Sequence, residues 1–245
     1  PMATQILADQ GAEVIKIENP GMGDMARYLG PQANGMGAMF AAVNRNKRSL
    51  ALNLKSAEGR AVFLDLVKTA DVLVENYRPG AMERMGLTHE ALKPLNPGLI
   101  YVASSGFGQS GPYAKRRVYD PVIQAVSGMA DSQSDATGKP HLIQSIVCDK
   151  VSGLTLAQAI TAALYAKAKG LGGQFIEFNL LAAALAFQWP DTMYNHMLLD
   201  EGVVQMPEFS KFYEIMKTLD GFVTVIVISD DEFAVTLKSA CGRRP

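Results

Sequence analysis

The sequence predicts an α/β fold with mostly parallel strands. Segments with strand character alternate with helix-like segments along nearly the whole chain, and such alternation implies parallel strands joined by right-handed crossovers. Glycine- and hydroxyl-rich loops follow several of the strand-like segments, where sheets of this class hold their ligands.

Each element rests on its own pattern. The chain opens on Pro1-Met2-Ala3-Thr4, already inside a helical pattern. Residues 13–18 (EVIKIE) alternate apolar and charged side chains, as a half-buried strand does, and 49–54 (SLALNL) do the same. Ser56 is placed to cap a helix running to about Thr69, with Val62, Phe63, Leu66 and Val67 on one face. Residues 71–77 (DVLVENY) and 99–105 (LIYVASS) read as strands. Between them Pro79-Gly80 marks a turn, and a short helix runs toward Met85-Gly86. Residues 106–111 form a loop, and a helical pattern returns over 118–131. Residues 131–142 are polar with glycine and proline, hence a surface loop. Residues 148–168 form a long small-residue helix carrying Ala157, Ala159, Ala162 and Ala163, suited to close packing. A strand over 174–179, a helix over 180–199 and a buried strand over 221–228 complete the reading.

Composition bounds the function. The 245 residues are 48% hydrophobic and 19% charged, which is globular rather than disordered. A net charge of −1 gives no general field for nucleic acid or an anionic membrane. Cys148 and Cys241 have no metal-ligand spacing, so no zinc site is expected; both read as free thiols in a reducing cytosol. His89, His141 and His196 stand alone, as surface or helix residues. Apolar runs are broken before the roughly 20 residues a membrane span needs, so the chain reads as soluble and cytoplasmic. Both ends read as cut.

Four segments suggest chemistry. Asn44-Arg45-Asn46-Lys47-Arg48, followed by Lys55, gathers cations at the entry and exit of a strand. Such a cluster suits a polyanionic phosphate, and equally a solvated basic loop. Asn76-Tyr77-Arg78-Pro79-Gly80 sits at a strand's carboxyl end and opens a helix whose N–H groups could meet a phosphate or thioester oxygen; Arg84 follows one turn later. Residues 104–112 (SSGFGQSGP) lack the closing Lys-Ser/Thr of a Walker loop, the dinucleotide glycine spacing and a nucleophile elbow; their glycines would admit close backbone approach of a ligand. Asp149, at the start of the long helix, is either a helix cap or a nucleophilic carboxylate.

Taken together these segments resemble one family. LADQGAEVIKIENPGMGDMAR, NRNKRSLALNLK, ADVLVENYRPGAMERMGL, NPGLIYVASSGFGQSGPY and the run from Asp149 to GLGGQFIEFNLL stand in the order and spacing of the class III CoA transferases, the carnitine and bile-acid CoA-transferase type, over residues 1 to about 230. The resemblance implies a Rossmann-like large domain, here residues 1–200 without its first strand, and a smaller second domain begun by 201–245. It implies an interlocked homodimer. It implies that Asp149 attacks an acyl-CoA thioester to give a mixed anhydride and then an aspartyl-CoA thioester. Coenzyme A would fall on Lys16, Leu52, Lys55, Asn76, Tyr77, Arg78, Arg84, Arg117 and Tyr119, as substrate, with an acyl donor and a carboxylic acid acceptor and no metal.

The family also holds racemases that need a histidine opposite the aspartate. This chain has Tyr119 there, and an unperturbed phenol of pKa near 10 is a poor base at neutral pH, which favours transfer. A racemase or epimerase, and a CoA-binding homologue without activity, remain the alternatives. The family's glycine-rich lid is not evident in residues 200–212. Met129, Trp189, Met193 and Met197 are core or line an acyl pocket, with core the simpler reading.

Overall fold

Helix α1 (Met2–Asp9) and strand β1 (Val14–Glu18) open the chain. An antiparallel hairpin of β2 (Gln32–Ala33) and β3 (Met36–Gly37) leads into helix α2 (Ala38–Asn44) and strand β4 (Lys47–Ala51). Helix α3 (Ala57–Thr69), strand β5 (Val72–Glu75), the short helices α4 (Ala81–Met85) and α5 (His89–Leu92), and strand β6 (Ile100–Ser105) follow. Then come α6 (Asp120–Val126), α7 (Val147–Ala166), β7 (Gln174–Asn179) and α8 (Leu180–Thr192). A hairpin of β8 (Ile215–Lys217) and β9 (Phe222–Thr224) ends the regular elements. The computed structural model describes residues 1–213, 215–227, 229, 231–232 and 234–235.

The expected parallel pairing is present in two sheets. β1 runs beside β4, with Val14 opposite Lys47. β6 lies between β5 and β7, with Ile100 opposite both Val72 and Gln174. All six residues of β6 are buried, and a strand covered on both faces reads in sequence as the near-continuous apolar run that residues 99–105 show. Its side chains alternate between two cores. Tyr101 and Ala103 pack with Phe63, Val67, Leu87 and Leu92 beneath α3, α4 and α5. Ile100 and Val102 pack with Ala3 of α1 and Leu156, Ala157 and Ile160 of α7. Ile100 and Ile160 are fully enclosed, so truncating either to Ala costs about 2–5 kcal/mol. A third cluster (Ile123, Met129, Cys148, Ala184) ties α6, α7 and α8 together.

Local signals explain several boundaries. Ser56 caps α3, accepting the Gly59 N–H at 3.0 Å. Its inner stripe is Phe63 and Val67 with Leu64 beside them, while Val62 faces solvent, rotated off that i, i+4 stripe. The strand expected over 49–54 lies over 47–51. It stops because Asn53 makes a turn, its carbonyl taking the Ser56 N–H and its Oδ1 the Lys55 N–H, both at 3.1 Å. The helix expected over 118–131 is shorter, ending before Gly128 at φ +82°. The helix expected over 180–199 ends at Thr192, whose N–H goes to Asp191 Oδ1, and residues 194–196 tighten into a 3-10 turn.

The buried strand expected over 221–228 is corrected. Among the described residues β9 covers 222–224, pairs with β8 alone and is exposed, Phe222 at 75%. A continuous apolar run does not by itself say what covers it. Residue 228 and Cys241 lie outside the described residues.

Candidate active site

The loops that leave β5 and β6 meet the segment before α6 around a cavity of about 210 Å³. Asn76, Tyr77, Arg78, Arg116, Arg117 and Tyr119 line it. Two contacts fix the first loop. Asn76 Nδ2 donates to the Ser104 carbonyl at 2.8 Å, bridging the ends of β5 and β6, and Glu75 accepts the Tyr77 N–H at 2.8 Å. The second wall depends on Gly106. A Cβ there would lie 2.1 Å from Val118 Cγ1, so only glycine lets residues 116–119 rest against the end of β6. The glycine loop thus admits a side chain of this chain, while Ser105 and Gly106 also line the cavity.

The charge is one-sided. Three guanidiniums and no carboxylate line this cavity. Arg116 rests over the Tyr113 ring at 4.8 Å. Arg78 and Arg117 are exposed and have no ion pair among the described residues. Unpaired guanidiniums around a concave surface suit phosphate or carboxylate oxygens.

Asp149 is tied to the segment that lines this cavity through Asp120. It is the third residue of α7, and the cap position belongs to Ile146, which supplies no side-chain cap. The cap comes from elsewhere in the chain: Asp120 Oδ2 accepts the Asp149 N–H at 3.1 Å. Asp120 follows Tyr119 of the cavity wall and is 3% exposed. Gln124 holds it, donating to Asp120 Oδ1 at 2.6 Å and to the carbonyls of Ile143 and Ser145 at 3.2 Å. A buried carboxylate thus sits at the positive end of a long helix, where it is favoured. The side chain of Asp149 makes no such capping bond. The residue is exposed at the surface, yet desolvation by its surroundings first, then the charge of Asp120, raise its pKa above the ordinary carboxylate value. A carboxylate less stabilised by its surroundings is the more reactive one.

Cys148 beside it is buried, and its thiol is pushed up to about 12 by burial and then by Asp120 and Asp149, so it stays protonated.

The structure gathers Asn76, Tyr77, Arg78, Arg117 and Tyr119 and leaves the other expected coenzyme residues outside that cavity. Lys16 pairs with Asp24 at 2.6 Å. Leu52 is half-buried against the core, and Lys55 is exposed. The Arg84 guanidinium covers Gly80, 3.0 Å from where a Cβ would stand. The basic segment 45–48 is largely solvated, with its cations bound to neighbours in the chain. Arg45 pairs with Asp9, Arg48 pairs with Glu13 at 2.7 Å, and Lys47 donates to Pro1 O, Val43 O and Asn44 Oδ1. Met129 is core, but Trp189 and Met197 are exposed at 40% and 54%. Arg116, Asp120 and Gln124 were missed. Arg116 stood beside Arg117, and Asp120-Pro121 was legible only as the start of a helix.

Among the described residues no helix is long and apolar enough to cross a membrane, and no three His, Cys, Asp or Glu side chains converge to hold a metal ion.

Comparison with known proteins agrees with this geometry. The model of CoA-transferase family III matches residues 1–244. An acetyl-CoA:oxalate CoA-transferase of Acetobacter aceti is 43% identical over 76% of this chain and 48% of its own length. A succinate–glutarate CoA-transferase of Agrobacterium fabrum is 38% identical over 95% of this chain and 60% of its own. Among solved structures, a CAIB/BAIF family protein from Brucella suis superposes with a TM-score of 0.85 at 33% identity, covering 99% of this chain and 65% of that one. The chain thus spans about half the length of the curated relatives it matches.

Proposed function

This chain belongs to CoA-transferase family III, and on that premise we propose that the protein moves coenzyme A between an acyl-CoA and a carboxylic acid through Asp149. One observation carries the reading: an uncapped carboxylate with a raised pKa stands one residue's contact from a cavity that holds three guanidiniums and no acid.

The reaction follows from these groups. Asp149 attacks the thioester carbonyl; the C–S bond breaks, CoA leaves as thiolate, and a mixed anhydride forms. The thiolate then attacks the aspartyl carbonyl, giving an aspartyl-CoA thioester and releasing the first acid. The acceptor carboxylate attacks that thioester, a second anhydride forms, and the thiolate takes the new acyl group, which frees Asp149. Each step exchanges one acyl bond for another of similar energy. Arg78, Arg84, Arg117 and Lys55 hold the phosphates, with Lys16 brought in by exchange from Asp24, while Leu52, Asn76, Tyr77 and Tyr119 flank the coenzyme. That remote binding positions the acyl carbon. Asp120 holds the first turn of α7 and keeps Asp149 reactive. Tyr119, where racemases of the family carry histidine, supports transfer over proton exchange.

Residues 1–200 are the coenzyme-binding domain and 201–245 the start of a second, in an interlocked cytoplasmic homodimer. The names of the relatives recommend small dicarboxylates as the first acceptors to try. The test is mass spectrometry of the full protein after acyl-CoA and hydroxylamine. A hydroxamate on Asp149 supports the mechanism. An unmodified Asp149 during turnover, with deuterium exchange at the substrate α-carbon, overturns it in favour of racemisation.

A further inference from the structure

A second cavity, of about 310 Å³, opens on the face of β6 turned away from α7. Its floor is aromatic. His89, Tyr101 and Phe175 are in mutual contact, with ring centroids 5.3–5.9 Å apart, and Phe175 is 48% exposed. Its walls carry four carboxylates, Glu75, Glu83, Glu90 and Glu177, against one cation, Arg78. The charge balance is the reverse of the first cavity.

Glu75 is the residue that calls for a ligand. It is 8% exposed, one oxygen takes the Tyr77 N–H, and it has no ion-pair partner among the described residues. Burial, with the nearby charge of Glu83, holds its carboxyl above the ordinary range. A buried carboxylate without a counter-ion is unfavourable, and a cation entering the cavity offsets that. The kind of cation follows from the spacing. Among the described residues no three ligating side chains converge at a point, and four carboxylates and three aromatic rings share the lining. A metal ion needs the first arrangement; a bulky organic cation fits the second, through carboxylates at its edge and π-systems against its surface.

We propose that this cavity binds a small organic ammonium or guanidinium ion, seated on the Phe175 and His89 rings between Glu75 and Glu177. The site is separate from Asp149 and does not depend on the transfer reaction, though Arg78 borders both cavities.

The full chain is titrated with tetramethylammonium chloride and followed by saturation-transfer NMR, with tert-butanol as the neutral probe of the same shape and sodium chloride to hold ionic strength. Saturable binding of the cation alone is expected, weakened about tenfold or more by Glu75→Gln and by Phe175→Ala. Glu75→Gln keeps the shape and removes a buried charge, so its thermal midpoint is expected to hold or rise. Should that variant fail to fold, Glu177→Gln at the exposed rim, where Glu177 takes the Gln109 N–H at 2.9 Å, gives the same reading. Equal signals from the cation and tert-butanol, no saturation, or affinity unchanged in the charge variants overturns the proposal.

Discussion

Arg45, Lys47 and Arg48 carry as much positive charge as Arg78, Arg116 and Arg117, and in sequence the first set is the more conspicuous. The fold uses them differently. The first set ties β4 back to α1 and to the turn before β1, through Asp9, Glu13 and the oxygens around Lys47. Burial, then the charge of Lys16, bring the Lys47 ammonium down to about 8 while those oxygens keep it satisfied. The second set has no ion pair among the described residues and borders one cavity. Density of cations along the chain is therefore a poor sign of an anion site. What marks one is cationic groups that the fold leaves without a partner around a concave surface.

Breaking the chemistry while leaving the cations in place gives the largest effect. Asp149→Asn is expected to lower turnover by about 10⁴-fold or more, the scale of losing a covalent nucleophile. Coenzyme A affinity, read by calorimetry, is expected to stay within about threefold, because the guanidiniums are the proposed binding groups. Turnover within tenfold of the parent would show that Asp149 is not the nucleophile.

The next effect contrasts the two cation sets directly. Arg78→Ala and Arg117→Ala are each expected to raise KM for the acyl-CoA by about 10–100-fold, the range of one to two lost charge-assisted contacts, with little change in melting. Lys47→Ala should do the reverse. It leaves three oxygens without their donor, at about 1–3 kcal/mol of stability, and leaves KM alone. Arg48→Ala is expected to change neither by much, since the Arg48–Glu13 pair is 77% and 65% exposed and such pairs are worth about 0–1 kcal/mol. A KM effect at Lys47 equal to that at Arg78 would collapse the distinction.

This difference also marks how far the sequence could be read. The strands over 14–18 and 174–179, the Ser56 cap and the Pro79-Gly80 turn follow from neighbours a few residues apart, and they were legible. Asp149 was singled out by the order of motifs around it, and its role is what the first substitution tests. What was not legible depends on approach in space. Arg48 finds Glu13 across 35 residues of chain, and Asp120 reaches the first turn of α7 across 29. No local pattern announces either contact. The exposed hairpin at 215–224 fails for the same reason, since an apolar run does not state what covers it.

Asp120 yields a smaller and more diagnostic effect. In the proposed mechanism Asp149 must be ionised to attack, so kcat/KM is expected to fall as pH drops through its raised pKa. Asp120→Asn removes the second of the two causes of that rise and leaves the larger, burial. The acid limb of the profile is expected to move to lower pH without reaching the ordinary carboxylate value. Stability carries the matching sign. A carboxyl whose folded pKa is raised binds its proton more tightly when folded, so its contribution is present below the unfolded value of about 3.9 and is lost as pH rises through the folded one. Asp149→Asn should flatten that part of the curve of unfolding free energy against pH. An acid limb that stays in place in Asp120→Asn would mean that Asp120 holds α7 without acting on Asp149.

The smallest expected effect tests whether an unpaired group always marks a site. Ser152, one turn along α7 from Asp149, is 6% exposed and its hydroxyl has no partner among the described residues. Gln124, equally buried, satisfies both ends of its amide through Asp120 and the backbone of Ile143 and Ser145. Losing Gln124 should therefore destabilise the α6–α7 contact, whereas losing the Ser152 hydroxyl removes only a desolvated group. Ser152→Ala is expected to leave stability unchanged or raise it by up to about 1 kcal/mol in urea unfolding. If the hydroxyl is an orphan of packing, the pH profile and kcat of Ser152→Ala match the parent. If instead it donates to the acylated Asp149, kcat falls while the fold is as stable as before. The rule drawn from the arginines would then extend from charged groups around a cavity to a single buried hydroxyl beside the nucleophile.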